Sequence, residues 1–276
     1  MPDASLKLHT INGYICNLFI AEYPEGLLLL DSGAIPDVHC IEQYCTESLR
    51  RPVTDIRLVI VSHMHPDHGG GAALLRKRFG IPIAAYHSCD RWYAGISGCI
   101  QHRIDCYMTQ MVREQSGRKK MAINYRRTLH PDYLLQDNEL LPMFPDWRVK
   151  HVPGHTLHDI VLYNEKERIL YGADIILNAG NKLNLPIPVF FPGKMKHSLQ
   201  TLGSLDIKKI YLAHGNPLET DDAGKLFSSL LHLVDEPRNQ IQRYYHRVSF
   251  FTPELWKSYI RKRIRVRKEK YQPPEK

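Results

Sequence analysis

No stretch of the 276-residue sequence reaches the roughly eighteen consecutive apolar residues that a membrane-spanning helix requires, so no membrane span is expected. The first residues, Met1-Pro2-Asp3-Ala4-Ser5, lack a basic segment followed by an apolar core, which argues against a secretory signal. Cysteine is sparse and scattered: Cys16, Cys40, Cys45, Cys89, Cys99 and Cys106 form no C-x-x-C pair. In a chain of this length they read as free thiols of a reducing compartment, not as a disulfide frame. Together these absences point to a cytoplasmic protein. Internal repeats and a clear linker are lacking as well.

What is present is an ordinary globular composition, 43% apolar, in a chain long enough for one large domain or two small ones. The net charge of +8 is unevenly placed. Residues 257–276 carry nine basic side chains against Glu269 and Glu275, so the main body is close to neutral. The charge run from Arg261 to Lys270 reads first as a solvated tail and second as a surface for nucleic acid or another anionic partner.

The most informative stretch is Ser62-His63-Met64-His65-Pro66-Asp67-His68-Gly69-Gly70-Gly71, which follows the apolar β-formers Leu58-Val59-Ile60-Val61. That run reads as a buried strand, so the histidines sit where a strand gives way to a loop. His63 and His65, two apart, project to one side of an extended backbone. Pro66 ends the ladder, Asp67 and His68 turn the other way, and the glycines allow a tight entry into a helix from Ala72. Four metal-capable side chains splayed by a turn suit two adjacent metals better than one. Imidazoles with a carboxylate favour zinc, with iron and manganese as alternatives.

This motif resembles that of the metallo-β-lactamase superfamily, and further segments resemble the rest of its ligand set in order. Gly154-His155-Thr156 is similar to the superfamily's Gly-His-Thr turn, Gly172-Ala173-Asp174 to its strand-ending bridging aspartate, and Ala213-His214-Gly215 to its last histidine. Leu30-Asp31-Ser32-Gly33 resembles the first motif, whose aspartate supports the metal loop without being a ligand. The resemblance implies an α/β fold, an αββα sandwich, with His63, His65 and His155 on one divalent metal, Asp67, His68 and His214 on a second, and Asp174 between them. It implies a hydroxide shared by the two metals as nucleophile, oriented by Asp67, the catalytic carboxylate. Where many relatives continue the turn with Pro-Gly-Ser, this chain has Leu157-His158-Asp159, two extra polar groups beside the site.

Along the chain, a hairpin around Asn12-Gly13 joins strands 6–10 and 14–21, followed by a strand at 27–31 and a helix over 36–50. Residues 88–135, rich in arginine, lysine, tyrosine and histidine, read as helical pieces from about Arg103 to Gln115 inserted over the site, either a lid that selects substrate or a solvated helical excursion with ordinary surface charge. Its candidate selectors include Arg91, Trp92, Tyr93, His102, Met108, Arg113, Tyr125 and Arg127. Residues 178–192 read as a proline-rich loop forming a second wall, in which Asn181 and Asn184 are candidate donors to a developing oxyanion. The expected organisation is a catalytic domain over 1–236, with 88–135 as its lid, and a basic helical extension over 237–276.

His65 occupies a position where the flavodiiron branch of the superfamily has glutamate, and no fused flavodoxin is seen, which argues against oxygen reduction. The favoured function is hydrolysis of a small ester, thioester or lactone, an anionic substrate included. Elements typical of glutathione binding in glyoxalase II are not recognised in the C-terminal part. The alternative is a phosphodiesterase or nuclease of the same fold, supported by the basic lid and tail but lacking the inserted domain or long arm of such enzymes. A non-catalytic binding protein would have lost ligands, and none is lost. Oligomeric state is not legible.

Overall fold

The computed structural model describes residues 6–180, 182–236, 240–248, 251–257 and 260–261. The N-terminal half begins with β1 (Lys7–Asn12), β2 (Asn17–Tyr23) and β3 (Gly26–Leu30), then α1 (Asp37–Gln43), β4 (Ile56–Val61), α2 (Ala72–Phe79) and β5 (Ile83–Tyr86). The long α3 (Gly95–Gln115) precedes β6 (Tyr133–Leu135). Next come β7 (Leu140–Leu141), β8 (Phe144–His151), β9 (Ile160–Asn164), β10 (Ile169–Ala173) and the small hairpin β11 (Leu177–Ala179) with β12 (Lys182–Asn184). The remainder is α4 (Pro192–Gly203), β13 (Lys209–Leu212), β14 (Leu218–Glu219), α5 (Ala223–Asp235) and α6 (Gln240–Val248).

Two six-stranded mixed sheets result, ordered β1-β2-β3-β4-β5-β6 and β14-β13-β10-β9-β8-β7. The strand sequences explain the four layers. In β3 every residue is a buried apolar one or glycine, because successive side chains enter different cores. Leu28 and Leu30 join Phe19, Leu58 and Ile60 against Trp147, Val149, Leu162 and Tyr171 of the second sheet. Leu27 and Leu29 point the other way, with Val59 and Val61, onto Val38, Ile41, Ala72 and Leu75 of α1 and α2. The second sheet repeats this: Leu170, Ile210 and Leu212 pack on Met195, Leu199, Leu202, Phe227 and Leu230 of α4 and α5. The architecture is the helix–sheet–sheet–helix sandwich expected from the sequence.

Several local expectations are corrected. The first hairpin has a longer loop, because Tyr14 leaves the strand to place its N–H 2.6 Å from Asp37 Oδ1 and Gly13 N–H closes on Cys16 O at 2.9 Å. The helix over 36–50 is α1 followed by a wider turn over Tyr44–Ser48. The helical pieces from Arg103 are one 21-residue helix that starts at Gly95. Glycines at 95 and 98 lower helix propensity and hide this start in the sequence. Gly98 is needed there, since a Cβ would lie 2.2 Å from the Tyr93 backbone. The wall over 178–192 contains the β11–β12 hairpin. No helix among the described residues is long and apolar enough to cross a membrane. Residues 262–270 of the basic run, Pro237, Arg238 and Asn181 lie outside the described residues.

Candidate metal centre

Neighbouring strands deliver the candidate side chains to one rim. Asp31 follows β3 and His63 follows β4, and these two strands are parallel neighbours. Asp174 follows β10 and His214 follows β13, another parallel pair. His155 sits in the turn between β8 and β9. Such carboxyl ends, where side chains leave the sheet without a ladder to maintain, are the usual seat of chemistry in parallel sheets.

The structure brings His63, His65, Asp67, His68, His155, Asp174 and His214 together. Nitrogens of His63, His65 and His155 form one group; donor atoms of Asp67, His68 and His214 form another, each within 4.8 Å. His65 Nδ1 is 3.0 Å from His63 Nε2 and 2.9 Å from His155 Nε2. Ligands about a tetrahedral ion with ~2.0–2.1 Å bonds stand roughly 3.3 Å apart, close to these spacings. Asp174 Oδ2 faces the first group, 3.9 Å from His63 Nε2 and 3.8 Å from His155 Nε2. Its Oδ1 faces the second, 3.3 Å from His68 Nε2 and 3.5 Å from His214 Nε2. Asp67 Oδ2 lies 3.2 Å from His214 Nε2. His68 Nε2 and Asp174 Oδ1 are buried without a hydrogen-bond partner among the described residues, which a cation between them would resolve. The residues therefore fit a pair of divalent cations in number, donor type and spacing.

The electrostatics divide the same way. Burial, with the neighbouring His68 and other imidazoles, pushes His63 well below the ordinary histidine range, and burial with His155 does the same to His65. Those rings are neutral lone-pair donors at pH 7, the form a metal needs. In the second group burial opposes charge, but Asp174, Asp67 and Asp31 outweigh it and hold His68 well above its usual range. Asp174 is correspondingly held far below the carboxylate range by His68 and His214, against its burial.

Outer contacts aim these rings. Asp31 Oδ1 accepts Ser62 N–H at 2.6 Å; its Oδ2 accepts Ser62 Oγ–H at 2.7 Å, His68 Nδ1–H at 2.7 Å and the Tyr171 hydroxyl. His63 Nδ1 lies 3.1 Å from Ser62 Oγ, and His155 Nδ1–H donates to Pro188 O at 2.7 Å. Tyr125 OH donates to Met64 O. Sequence reading missed Ser62, Tyr171 and the Pro188 carbonyl, because none carries a local signature, and it offered Tyr125 as a substrate selector, not as a support of the loop. It also missed Asp105 of α3, whose Oδ2 lies 3.8 Å from His65 Nε2.

The extra pair His158 and Asp159 does not line the cleft; both brace the metal loops. Asp159 Oδ2 accepts Thr156 N–H at 2.6 Å and its Oδ1 accepts the Thr156 hydroxyl. His158 Nε2 accepts Met64 N–H at 2.9 Å, with its ring 5.3 Å from that of Trp92. Only neutral imidazole can accept that bond, and burial holds His158 down to about 3. A lowered folded-state value means stability present above the ordinary histidine value of ~6.5 and lost as pH falls toward about 3. We therefore expect the stability deficit of His158→Gln at pH 7 to shrink by about 2 kcal/mol at pH 5, in urea titrations of chelator-treated protein. A deficit independent of pH would show that the ring is not buried neutral.

A cavity of about 280 Å³ opens over the donors. His65, Asp67, His155, Asp174 and His214 form its floor; Asp105, Met108, Thr109 and Val112 of α3 form one wall. Leu177, Pro186, Ile187 and Pro188 form the opposite wall, with Ile15 and Tyr245 at the ends. Among the described residues no lysine or arginine lines the cavity. Of the arginines expected to select substrate, Arg113 donates to Tyr14 O, Arg127 donates to Tyr93 O at 2.9 Å, and Arg91 is exposed away from the lining. Trp92, Tyr93 and Tyr125 are buried. Asn184 donates to Lys182 O at 3.2 Å as a turn residue and does not line the cavity.

Comparison with known proteins agrees with this architecture. The family model of the metallo-beta-lactamase superfamily matches residues 11–214, and the chain belongs to that superfamily. A hydroxyacylglutathione hydrolase of Bdellovibrio bacteriovorus is 24% identical over 133 residues, 48% of this chain and 39% of that protein. The chain thus spans well under half the length of that relative. A metallo-beta-lactamase family protein from Thermus thermophilus superposes with a TM-score of 0.62 at 20% identity, covering 94% of this chain and 93% of the other. TTHA1623, solved in a di-iron-bound form, gives 0.54 at 18% identity, covering 77% of this chain and 94% of its own. At these identities the structural likenesses show a shared fold.

Proposed function

We propose that this chain is a dinuclear metal-dependent hydrolase that cleaves a small ester, thioester or lactone. The observation that carries the reading is Asp174, whose two oxygens face two separate histidine groups. His63, His65 and His155 would hold one cation, Asp67, His68 and His214 the other, with Asp174 shared. Zinc suits the imidazole-rich set best, and iron and manganese accept the same donors. When bound, such cations polarise a carbonyl oxygen and acidify water to near neutrality.

The chain's own groups do the rest. Asp67 would orient the attacking water: its carboxylate opens onto the cavity, and His68 and His214 outweigh its burial and keep it ionised. Apolar walls from Ile15, Met108, Val112, Ile187 and Tyr245 would hold an uncharged substrate body and exclude bulk water. In this reading residues 1–236 form the catalytic unit, 88–135 cover the cleft, and 237–276 are an extension whose Tyr245 completes it. All six cysteines are free, in keeping with a reducing compartment such as the cytoplasm. Among the described residues no lysine or arginine lines the cavity, so a phosphodiester would meet no cationic side chain there beyond the metals themselves.

A side-by-side screen of a thioester, a lactone and a phosphodiester with metal-loaded protein tests this. Turnover of a carboxyl derivative is expected, abolished in Asp174→Ala. Turnover of the phosphodiester alone would overturn the substrate class.

A further inference from the structure

Three of the five candidate histidine ligands share one orientation, and His65 departs from it. His63, His68 and His155 all turn Nε2 inward, and each Nδ1 has a partner: Ser62 Oγ, Asp31 and Pro188 O respectively. His65 is reversed. Its Nδ1 is the atom that meets His63 and His155, so its outward atom is Nε2. A neutral imidazole that offers Nδ1 to a metal carries its proton on Nε2, and that N–H needs an acceptor to fix the ring. The acceptor facing it is Asp105 Oδ2, at 3.8 Å.

Asp105 is built to stay in place. It lies on the inward face of α3, largely buried, at the cavity wall. Tyr93 OH donates to its Oδ2 at 2.7 Å and Gln101 Nε2 donates to its Oδ1 at 2.7 Å. Gln101 is one helical turn earlier and fully buried, and its other amide atom is also engaged: Oε1 accepts Phe251 N–H at 2.9 Å. A buried carboxylate is costly unless donors surround it, and its two hydrogen bonds leave acceptor capacity on Oδ2 for His65.

We propose that Asp105 is the positioning residue for His65: it receives the Nε2–H, fixes the Nδ1-donor tautomer and raises the basicity of that nitrogen toward a metal in the three-histidine site. The Gln101–Phe251 bond then ties the geometry of that site to the segment following α6. This inference rests on the dinuclear reading above. It gives α3 a second task beyond walling the cleft, since the helix that would bound the substrate also carries the group that aims a ligand.

The test is a cobalt(II) titration of chelator-stripped, full-length protein against a chromophoric competitor, with d–d absorption recorded and melting temperature measured on the metal-free protein. Asp105→Asn is expected to weaken one of two sites roughly 10–100-fold and shift its d–d bands, leaving the other within about threefold. Rescue by Asp105→Glu to within about tenfold is expected, since the carboxylate is retained. A lower melting temperature with both affinities unchanged would show a purely structural role and overturn the proposal; equal weakening of both sites would do the same. Should Asp105→Asn fail to fold, Gln101→Met, which removes one support from the far oxygen, is expected to weaken the same single site several-fold. No change there overturns the proposal. Wild-type protein that binds no cobalt would overturn this inference and the dinuclear reading together, whereas two tight sites insensitive to Asp105 would overturn this inference alone.

Discussion

Replacing Asp174 with alanine is expected to lower kcat/KM by about 10³-fold or more, equivalent to about 4 kcal/mol of transition-state stabilisation. The magnitude follows from the position of this carboxylate. Each oxygen faces a different group of histidines, so alanine removes a donor from both candidate cation sites at once. It also strips the anion that balances His68 and His214, the two imidazoles whose affinity for protons is raised by Asp174 despite burial. The same negative charge would attract both cations, so its removal weakens the two sites beyond the loss of a donor atom. Steady-state kinetics on the substrate found by the screen, with metal content measured on the same samples, checks this. A decrease below about tenfold would show that Asp174 does not join the two groups in the working enzyme.

Asp31→Ala is expected to be the most destabilising single change near the site, at about 5 kcal/mol. Its carboxylate accepts from Ser62 N–H, Ser62 Oγ–H, His68 Nδ1–H and the Tyr171 hydroxyl, all buried. Alanine would leave those donors without a partner, at roughly 1–3 kcal/mol for each that finds no substitute. Asp31 also has φ +62°, a left-handed conformation that costs alanine about another 1 kcal/mol. Asp31→Asn tolerates that backbone and can still accept from Ser62 N–H, but turns an NH₂ toward His68 or Tyr171, so an intermediate loss is expected. Urea denaturation of metal-free protein measures both. A loss for alanine below about 1 kcal/mol would mean that the donors find other partners and that Asp31 is not the strut of the metal loop.

These expectations separate what the sequence carries from what only packing creates. The seven candidate donors and Asp31 were legible because each lies in a short pattern of residue types that resembles a motif of the superfamily, and that resemblance implied that they meet. The apolar β3 and the apolar run Leu58–Val61 of β4 likewise announced buried strands. Asp105 was not legible: it is a single acidic residue in a helix whose start is masked by Gly95 and Gly98, and its partner Tyr93, with the Phe251 N–H that holds Gln101, is brought into place only by tertiary packing. The direction of the basic residues in 88–135 was open in the sequence for a related reason. Charge in a sequence does not say which way a side chain points, and Arg113 and Arg127 satisfy backbone carbonyls instead of facing the cleft. His158 stood out in the sequence only as an extra polar group beside the site, and the Met64 N–H bond makes it a brace.

The dinuclear centre is tested most directly by elemental analysis of the full-length protein after equilibration in a metal buffer and removal of loosely held ions. About two equivalents of divalent metal per chain are expected, with one or fewer retained by Asp174→Ala. Wild-type protein that retains less than about 0.2 equivalents of any divalent metal under conditions where it is folded would contradict the account.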